Sequence, residues 1–357
     1  MLLLYKIFLV KAIVRVVYME ISIDKLKNCI KNLNSARILV IGDLALDEMV
    51  YGDTERISRE APVLILQHTY TKYILGGASN SAHNVSAVNG GKTAVIGVIG
   101  DDYQAHDLRN AFDEAGIDCS SLVVDKERKT ITKTRISGSC SQSVTQQIVR
   151  IDRQTNSPLS AETEDKIINE IKNKISDCDA LILSDYHIGT LSQRVINSAI
   201  EIAKKNNKFT VVDAQKNLNN YKGAFSLTPN LPDTQKHVGF YLKNKEDFLK
   251  AGTAIINETG ADNILITCGS EGMVVIDKNG KYIHIPVFNK SKVFDVTGAG
   301  DTVTALYTLA LASGAEPVYA AIIGNIAASI VIKQFGCATT TIDEIYNAVP
   351  NEIKIED

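Results

Sequence analysis

Near the C-terminal end of the chain, residues 295–301 read Asp-Val-Thr-Gly-Ala-Gly-Asp. Gly298, Ala299 and Gly300 are small enough to let the backbone pass close to a ligand. An apolar, β-type run (282–287) comes shortly before them, and helix formers (302–312) follow. A helix N-terminus presents unpaired N–H groups and the positive end of its macrodipole, so this turn suits an anion. Asp301 then stands in the first helical turn beside that anion hole. The spacing leaves two readings open. In one, Asp301 is a helix-start acid favoured by the dipole, and the glycines only make a turn. In the other, Asp301 takes the proton of a hydroxyl that attacks a phosphoryl group, while the amides hold the developing charge.

Other residues of suitable chemistry stand at the ends of apolar runs. Asp43 and Asp47 follow residues 37–42, a continuous apolar stretch ended by Gly. Such a stretch suits a strand buried on both faces, and open α/β sheets bind ligands just past the ends of such strands. A turn-forming acid is the other reading of Asp47. Gly76 and Gly77 precede a helical stretch (to 87) in which Asn80 can meet sugar hydroxyls or simply start the helix. Asn230 closes a further strand end, 225–230, with Asp233 just beyond it, and the two can order a hydrated Mg²⁺ or a phosphate, or cap a helix. Gly269 and Gly272 make a turn after the strand 263–267, near which a nucleotide can lie. Two look-alikes are set aside. Gly-Gly-Lys-Thr at 90–93 ends like a phosphate-binding loop, but its first glycine falls on Ser86 and the order is helix–loop–strand. His187-Ile-Gly-Thr190 lacks the second His of a nucleotidyltransferase element.

The elements that must position these residues fall into two patterns. Helices are expected over 24–34, 101–116, 161–175, 192–206 and 318–332, with a short one after Gly336-Cys-Ala338. Buried strands are expected over 93–100, 121–124, 180–183 and 209–212, the last ending at Asp213. Residues 50–73, 130–136 and 146–153 instead alternate apolar and polar, which predicts antiparallel strands outside the main sheet, forming a small lid. Lys133, Arg135, Arg150 and Arg153 make that lid basic. For most of them a charged outer face is the expectation, with one or two meeting an anionic substrate.

Composition narrows the class. The chain has 357 residues, 45% of them apolar, and a formal net charge of −3 with both signs interspersed. That gives no electrostatic reason to expect nucleic acid or an acidic membrane as partner. Six scattered cysteines, without a Cys-x-x-Cys pair, read as reduced thiols of a cytoplasmic protein. Residues 1–18 are rich in Leu, Ile and Val but interrupted by Lys6, Lys11 and Arg15, so no run is long enough for a membrane span. A weak signal peptide or a surface helix is one reading; we expect an upstream extension, with the start at Met19.

Taken in order on an α/β chain, Gly76-Gly77, Thr267-x-Gly269 and the Asp-x-Thr-Gly-Ala-Gly-Asp element resemble the ribokinase-like (PfkB) sugar kinases over residues 36–345. Gly-Asp-Leu-Ala-Leu-Asp at 42–47, Arg-Ile-Ser-x-Glu-Ala-Pro-Val at 56–63, Gln-Ile-Val-Arg-Ile-Asp at 147–152, Ser-Asp-Tyr at 184–186 and Thr-Pro-Asn-Leu at 228–231 are similar to the heptose 7-phosphate kinase domain of ADP-heptose biosynthesis. The resemblance implies a doubly wound, mainly parallel α/β sheet with a β lid, and ATP-dependent phosphorylation of a sugar or sugar phosphate. It implies Asp301 as base and Gly298, Ala299 and Gly300 as anion hole. Asn230, Asp233, Thr267, Gly269 and Gly272 would serve ATP and Mg²⁺, the metal held mainly through the ATP phosphates. Asp43, Asp47, Gly76, Gly77, Asn80 and Arg150 would hold the sugar. A monovalent cation and a homodimer joined through the lid also belong to what it implies. In the heptose kinases the phosphorylated hydroxyl is the anomeric one, giving a 1,7-bisphosphate. The two-domain versions continue into an adenylyltransferase domain, so this chain is expected to depend on a separate enzyme for that step.

The organisation expected is an extension and short helix over 1–35, a kinase domain over 36–345 with lid strands from 48–74 and 130–153, and a tail over 346–357. Departures from the heptose kinase pattern fall at Arg59 (usually Pro), Ile188 (Lys), Ala214-Gln215 (Pro-Lys) and Asp233 (Glu). Lost lysines near the substrate end weaken recognition of a distal phosphate, and Lys216 can compensate by a one-residue shift. The rival readings are a kinase of another sugar and a non-catalytic regulator that kept the fold.

Overall fold

The computed structural model describes residues 18–140, 143–288 and 293–356. The expectation for the N-terminal extension therefore lies outside the described residues, apart from Tyr18.

The chain opens with β1 (Tyr18–Glu20), α1 (Ile23–Lys31) and β2 (Ile38–Gly42), then enters the lid through β3 (Leu44–Ile57) and β4 (Leu64–Gly77). It returns through α2 (Ala78–Asn89), β5 (Thr93–Ile96), β6 (Val98–Ile99), α3 (Tyr103–Glu114) and β7 (Val123–Val124). The lid is completed by β8 (Ile131–Cys140) and β9 (Ser143–Arg153). Regular alternation follows: α4 (Ala161–Lys174), β10 (Ala180–Asp185), α5 (Gln193–Lys205), β11 (Phe209–Ala214), β12 (Ser226–Leu227), α6 (Leu231–Val238), α7 (Lys245–Thr259) and β13 (Asn263–Thr267). The chain ends with β14 (Met273–Asp277), β15 (Tyr282–Ile285), α8 (Ala299–Ala312), α9 (Pro317–Val331), α10 (Ile342–Asn347) and β16 (Lys354–Glu356).

Among the described residues the main sheet has ten strands in the order β1-β16-β15-β14-β13-β12-β11-β10-β2-β5. The run from β13 to β5 is parallel, and the strands from β14 to β1 are antiparallel. Side chains of a strand alternate between faces, and this sheet buries both. Ile38 and Val40 of β2 enter one core with α1, α2, α3, α8 and α9, while Leu39 and Ile41 enter the other with α4, α5 and α7. The continuous apolar run 37–42 is the sequence signature of that double burial. The lid is a separate four-stranded sheet, β4-β3-β8-β9. No helix among the described residues is long and apolar enough to cross a membrane.

Several boundaries differ from expectation, each for a local reason. The strand expected over 93–100 breaks at Gly97, where a Cβ would stand 2.6 Å from the Leu44 side chain. β5 stays in the main sheet, and β6 leaves it to pair with β7. Of 225–230 only Ser226–Leu227 is strand, because Asn230 already caps α6. Residues 18–35 and the tail, expected outside the kinase unit, are built into it. β16 pairs with β1 and β15, and Leu26 and Ile30, spaced one helical turn apart, are fully buried. The helix α7 and the strand β14 were not anticipated, and α6 is the helix that the capping reading of Asn230 and Asp233 implied.

Candidate active site

Residues 294–303 thread between three cavities. Val296, Ala299, Gly300 and Val303 line an apolar one of about 570 Å³, with Thr267, Gly269 and Gly272 on its far wall. Phe294, Asp295 and Thr297 line a second, of about 510 Å³, roofed by Asp47, Met49, Tyr51 and Arg135 of the lid. Gly298, Gly300 and Asp301 line a smaller acidic one, of about 140 Å³, with Asp185, Tyr186, Asp213, Asn230 and Asp233. Gly300 belongs to both the apolar and the acidic cavity.

The turn's conformation explains its glycine. Gly298 is the N-cap of α8 at φ 76°, a left-handed conformation that L side chains resist. A Cβ there would also stand 2.4 Å from the Asn80 amide nitrogen. α8 begins at Ala299, so Asp301 lies in its first turn as the spacing predicts. The Ala299 N–H donates to the Val296 carbonyl at 3.2 Å.

Asp301 is 5% exposed and held at both oxygens. The Tyr186 hydroxyl donates to Oδ1 at 2.6 Å and the Asn80 amide donates to Oδ2 at 2.8 Å. Burial pushes the Asp301 carboxyl above the ordinary carboxylate range, opposed by the hydrogen bonds from Tyr186 and Asn80 and by the charge of Lys133. Asp213, at the end of β11, is pushed up to about 8 by burial and by the negative charges of Asp301 and Asp233. A carboxylate poised in this way, next to a helix N-terminus, is equipped to accept a proton while an anion is held beside it.

The other expected site residues divide. Thr267, Gly269 and Gly272 meet in the apolar cavity, Asn230 and Asp233 in the acidic one, and Asp47 under the lid. Asn80 is fully buried, and its amide donates to Asp301. Asp43 is also fully buried, and its carboxylate accepts the backbone N–H groups of Tyr186, Ile188 and Thr190, each at 3.0 Å. It holds the loop after β10, in which His187 takes φ 58° and Gly189 φ 117°. Gly77 serves close packing: a Cβ there would stand 2.7 Å from the Asp43 carbonyl. At Gly76 a Cβ would press on the Asp47 carboxyl at 3.0 Å. Asn230 caps α6, its side chain accepting the Asp233 N–H at 2.8 Å. Arg150 is turned to Asp152 in a two-pronged pair at 2.8 Å and does not line the lid cavity. Among the described residues the cation that does is Arg135, 2.9 Å from Asp47.

Sequence reasoning missed Tyr186, Asn84 and Asp213. Asn84 sits one turn after Asn80 on α2 and links it to Thr302 of α8, so an Asn-x-x-x-Asn spacing was the available signal. Asp213 stood at a recognised strand end, the same signal that singled out Asp43.

Among the described residues no group of three or more His, Cys, Asp or Glu side chains is arranged to hold a metal directly. The hard oxygen donors of Asn230, Asp233 and Asp213 on the acidic cavity nevertheless suit a hydrated divalent cation that brings its own phosphate ligands.

Comparison with known proteins agrees with this geometry. The family pattern described as pfkB family carbohydrate kinase matches residues 35–344. Bifunctional protein HldE of Trichlorobacter lovleyi is 38% identical over 325 residues, 91% of this chain and 65% of that protein. HldE of Helicobacter hepaticus is 36% identical over 312 residues, 87% of this chain and 63% of its own length. The chain thus spans slightly less than two thirds of these relatives. Among solved structures, phosphofructokinase-2 from Escherichia coli in complex with potassium superposes with a TM-score of 0.70 at 18% identity, covering 88% of this chain and 98% of that one. Arabidopsis thaliana ribokinase complexed with ribose and ATP gives 0.65 at 17% identity, covering 88% and 98%. At such identities these two show the fold alone.

Proposed function

The chain belongs to the pfkB family of carbohydrate kinases, and from that premise we propose that it transfers the γ-phosphoryl group of ATP to the anomeric hydroxyl of D-glycero-D-manno-heptose 7-phosphate. The observation that carries the reading is the course of residues 294–303 past an apolar, an acidic and a lid-covered cavity, with Asp301 on the acidic one. ATP would lay its base in the apolar cavity against Gly269 and Gly272 and its phosphates over the first turn of α8. The sugar would lie under the lid against Asp47 and Arg135.

Asp301 takes the anomeric hydroxyl's proton as that oxygen bonds the γ-phosphorus. The bond between the γ-phosphorus and the bridging oxygen breaks, and ADP leaves with the electron pair. Gly300 and the α8 dipole stabilise the charge on the transferring group. Asn230 and Asp233 would order the water shell of a Mg²⁺ ion arriving with ATP, which would supply charge neutralisation. The lid excludes water from the transfer. ATP supply places the reaction in the cytoplasm. We also place a homodimer contact on the lid, where β9 is an edge strand exposing Ile148, Val149 and Ile151. Sedimentation showing only monomer at micromolar concentration refutes that contact.

A kinase of a different sugar phosphate is the second reading, favoured by Ile188. Where the heptose kinases carry Lys, this side chain is 8% exposed and packs with Ala45 and Ile131, so it offers no charge to a distal phosphate. ADP release with Mg-ATP and a sugar panel separates the two. Turnover of the heptose phosphate well above all other sugars supports the first reading, and preference for another sugar overturns it.

A further inference from the structure

Tyr186 stands where three parts of the molecule meet. Its hydroxyl donates to Asp301 Oδ1 at 2.6 Å. Its backbone is anchored by the Asp43 carboxylate, which accepts the Tyr186 N–H at 3.0 Å. Its ring packs against the cluster formed by Ile188 of its own loop with Ala45 and Ile131, the residues at the roots of lid strands β3 and β8. The ammonium of Lys133, two residues further along β8, lies 5.5 Å from the centre of the same ring, within the range of a cation–π contact. Lys133 faces Asp47 across the β3–β8 ladder and Asp152 across the β8–β9 ladder, so its position is set by the lid.

We propose that Tyr186 is a positioning residue for Asp301, and that it carries the position of the lid to the base. The proposal rests on the reading of Asp301 as the base. A carboxylate is a directional base only if its rotation is fixed. Asn80 holds Oδ2 from the scaffold side, at 2.8 Å, and Tyr186 holds Oδ1 from the lid side. With Tyr186 in place the carboxylate is oriented and its ionised form is favoured, because a hydrogen-bond donor stabilises the charged acceptor. The lid also brings the Lys133 charge, which favours the same form. A lid that swings away takes Lys133 from the ring and loosens the Ala45–Ile131–Tyr186 contact. The base is then set only when a sugar has closed the lid, which limits transfer to water. The groups of changing charge that face Asp301 are Lys133 from the lid, Tyr186 from the loop after β10, Asp213 from β11 and Cys337 from the segment after α9.

The test is the titration of Asp301 itself, followed by carboxyl ¹³C NMR of protein labelled at aspartate, with D301N assigning the signal. Y186F keeps the ring and loses the hydroxyl; K133Q keeps the loop and loses the charge. Each is expected to raise the Asp301 midpoint, by about one pH unit for the lost hydroxyl, since two or three such bonds lower a carboxylate by about two units. The acid limb of kcat for sugar phosphorylation should move by the same amount, with KM for ATP unchanged. An Asp301 midpoint that stays put in both variants overturns the proposal. A loss of activity in Y186F without a shift of the acid limb also overturns it, because a merely structural Tyr186 gives that result. Full activity in D301N would instead remove the base reading, and the NMR midpoints would still decide whether Tyr186 sets this carboxylate.

Discussion

The Asp43 carboxylate should hold the loop that carries Tyr186, and two substitutions measure how firmly. Oδ2 accepts the N–H groups of Tyr186 and Ile188, and Oδ1 accepts that of Thr190, all at 3.0 Å; the carboxylate and the Ile188 and Thr190 bonds are fully buried, the Tyr186 bond partly. Hydrogen bonds to a charged acceptor contribute about 1.5–3 kcal/mol each, and a buried amide left without a partner costs a similar amount. Asp43→Ala strands three amides, so its expected cost is on the order of 5 kcal/mol, a large part of a typical folding free energy. Asp43→Asn can keep its carbonyl at the Oδ2 position and lose only the Thr190 bond, where its NH₂ would face another donor; the expected cost is about 2–3 kcal/mol. Urea unfolding gives both values. The kinetic expectation is a modest fall in kcat in the Asn variant, since the loop carrying Tyr186 is then freed at Thr190, with little change in KM for the sugar. If Asp43→Ala unfolds within about 1 kcal/mol of the parent, the anchoring argument fails, since three stranded amides cannot cost so little. A raised sugar KM at unchanged stability would return Asp43 to the role its place at a strand end first suggested, a ligand of the sugar.

Gly298→Ala should cost activity more than stability. The new methyl displaces Asn80 from Asp301, and a base misplaced by about 1 Å loses on the order of a hundredfold in kcat; kcat within a factor of two of the parent counts against the clamp. Asp213 has its folded pKa raised to about 8 against an ordinary 3.8, so the folded state keeps a proton that the unfolded state releases. Its contribution to stability is full below about pH 4 and is lost as pH rises through about 8. Asp213→Asn should therefore raise Tm relative to the parent more at pH 8.5 than at pH 4.5, and equal differences at both pH values would contradict the assignment. Arg135→Gln removes the cation over the lid cavity and should raise KM for a sugar phosphate by about tenfold or more, with a smaller change for the dephosphorylated sugar; equal changes for both would show that Arg135 only braces Asp47.

The central architecture was legible because burial on both faces writes itself into the sequence. The continuous apolar runs at 37–42 and 180–183 became neighbouring parallel strands, and the alternating segments became the lid. The motif at 295–301 was legible for a related reason: only glycine suits φ 76° at a point where Asn80 crosses so closely. What the sequence hid was which side chains satisfy one another. Asp43, Asn80 and Asn230 have the same chemistry whether they bind a ligand or backbone and side-chain donors. Only the fold shows Asp43 taking three amides, Asn80 taking Asp301, and Asn230 taking the first turn of α6. Tyr186 was hidden because its partner lies 115 residues away. The lid cations were named as a group; Arg135 and Arg150 are paired on one face of the lid, and their strand's place in the sheet and their carboxylate partners separate them. Arg135 shares a face with Asp47, while Arg150 spends its fork on Asp152 at the edge strand. The terminal strands escaped because three-residue segments carry no periodicity of their own.

Phosphoryl transfer from ATP to an anomeric hydroxyl, with Asp301 as base, is the central step. ³¹P NMR of D-glycero-D-manno-heptose 7-phosphate with Mg-ATP and either the parent protein or Asp301→Asn addresses both parts at once. The expected spectrum from the parent shows ADP and a second sugar phosphate signal split by the anomeric proton, both absent with the variant. ADP without a new sugar phosphate, or the same product at the same rate from Asp301→Asn, would contradict it.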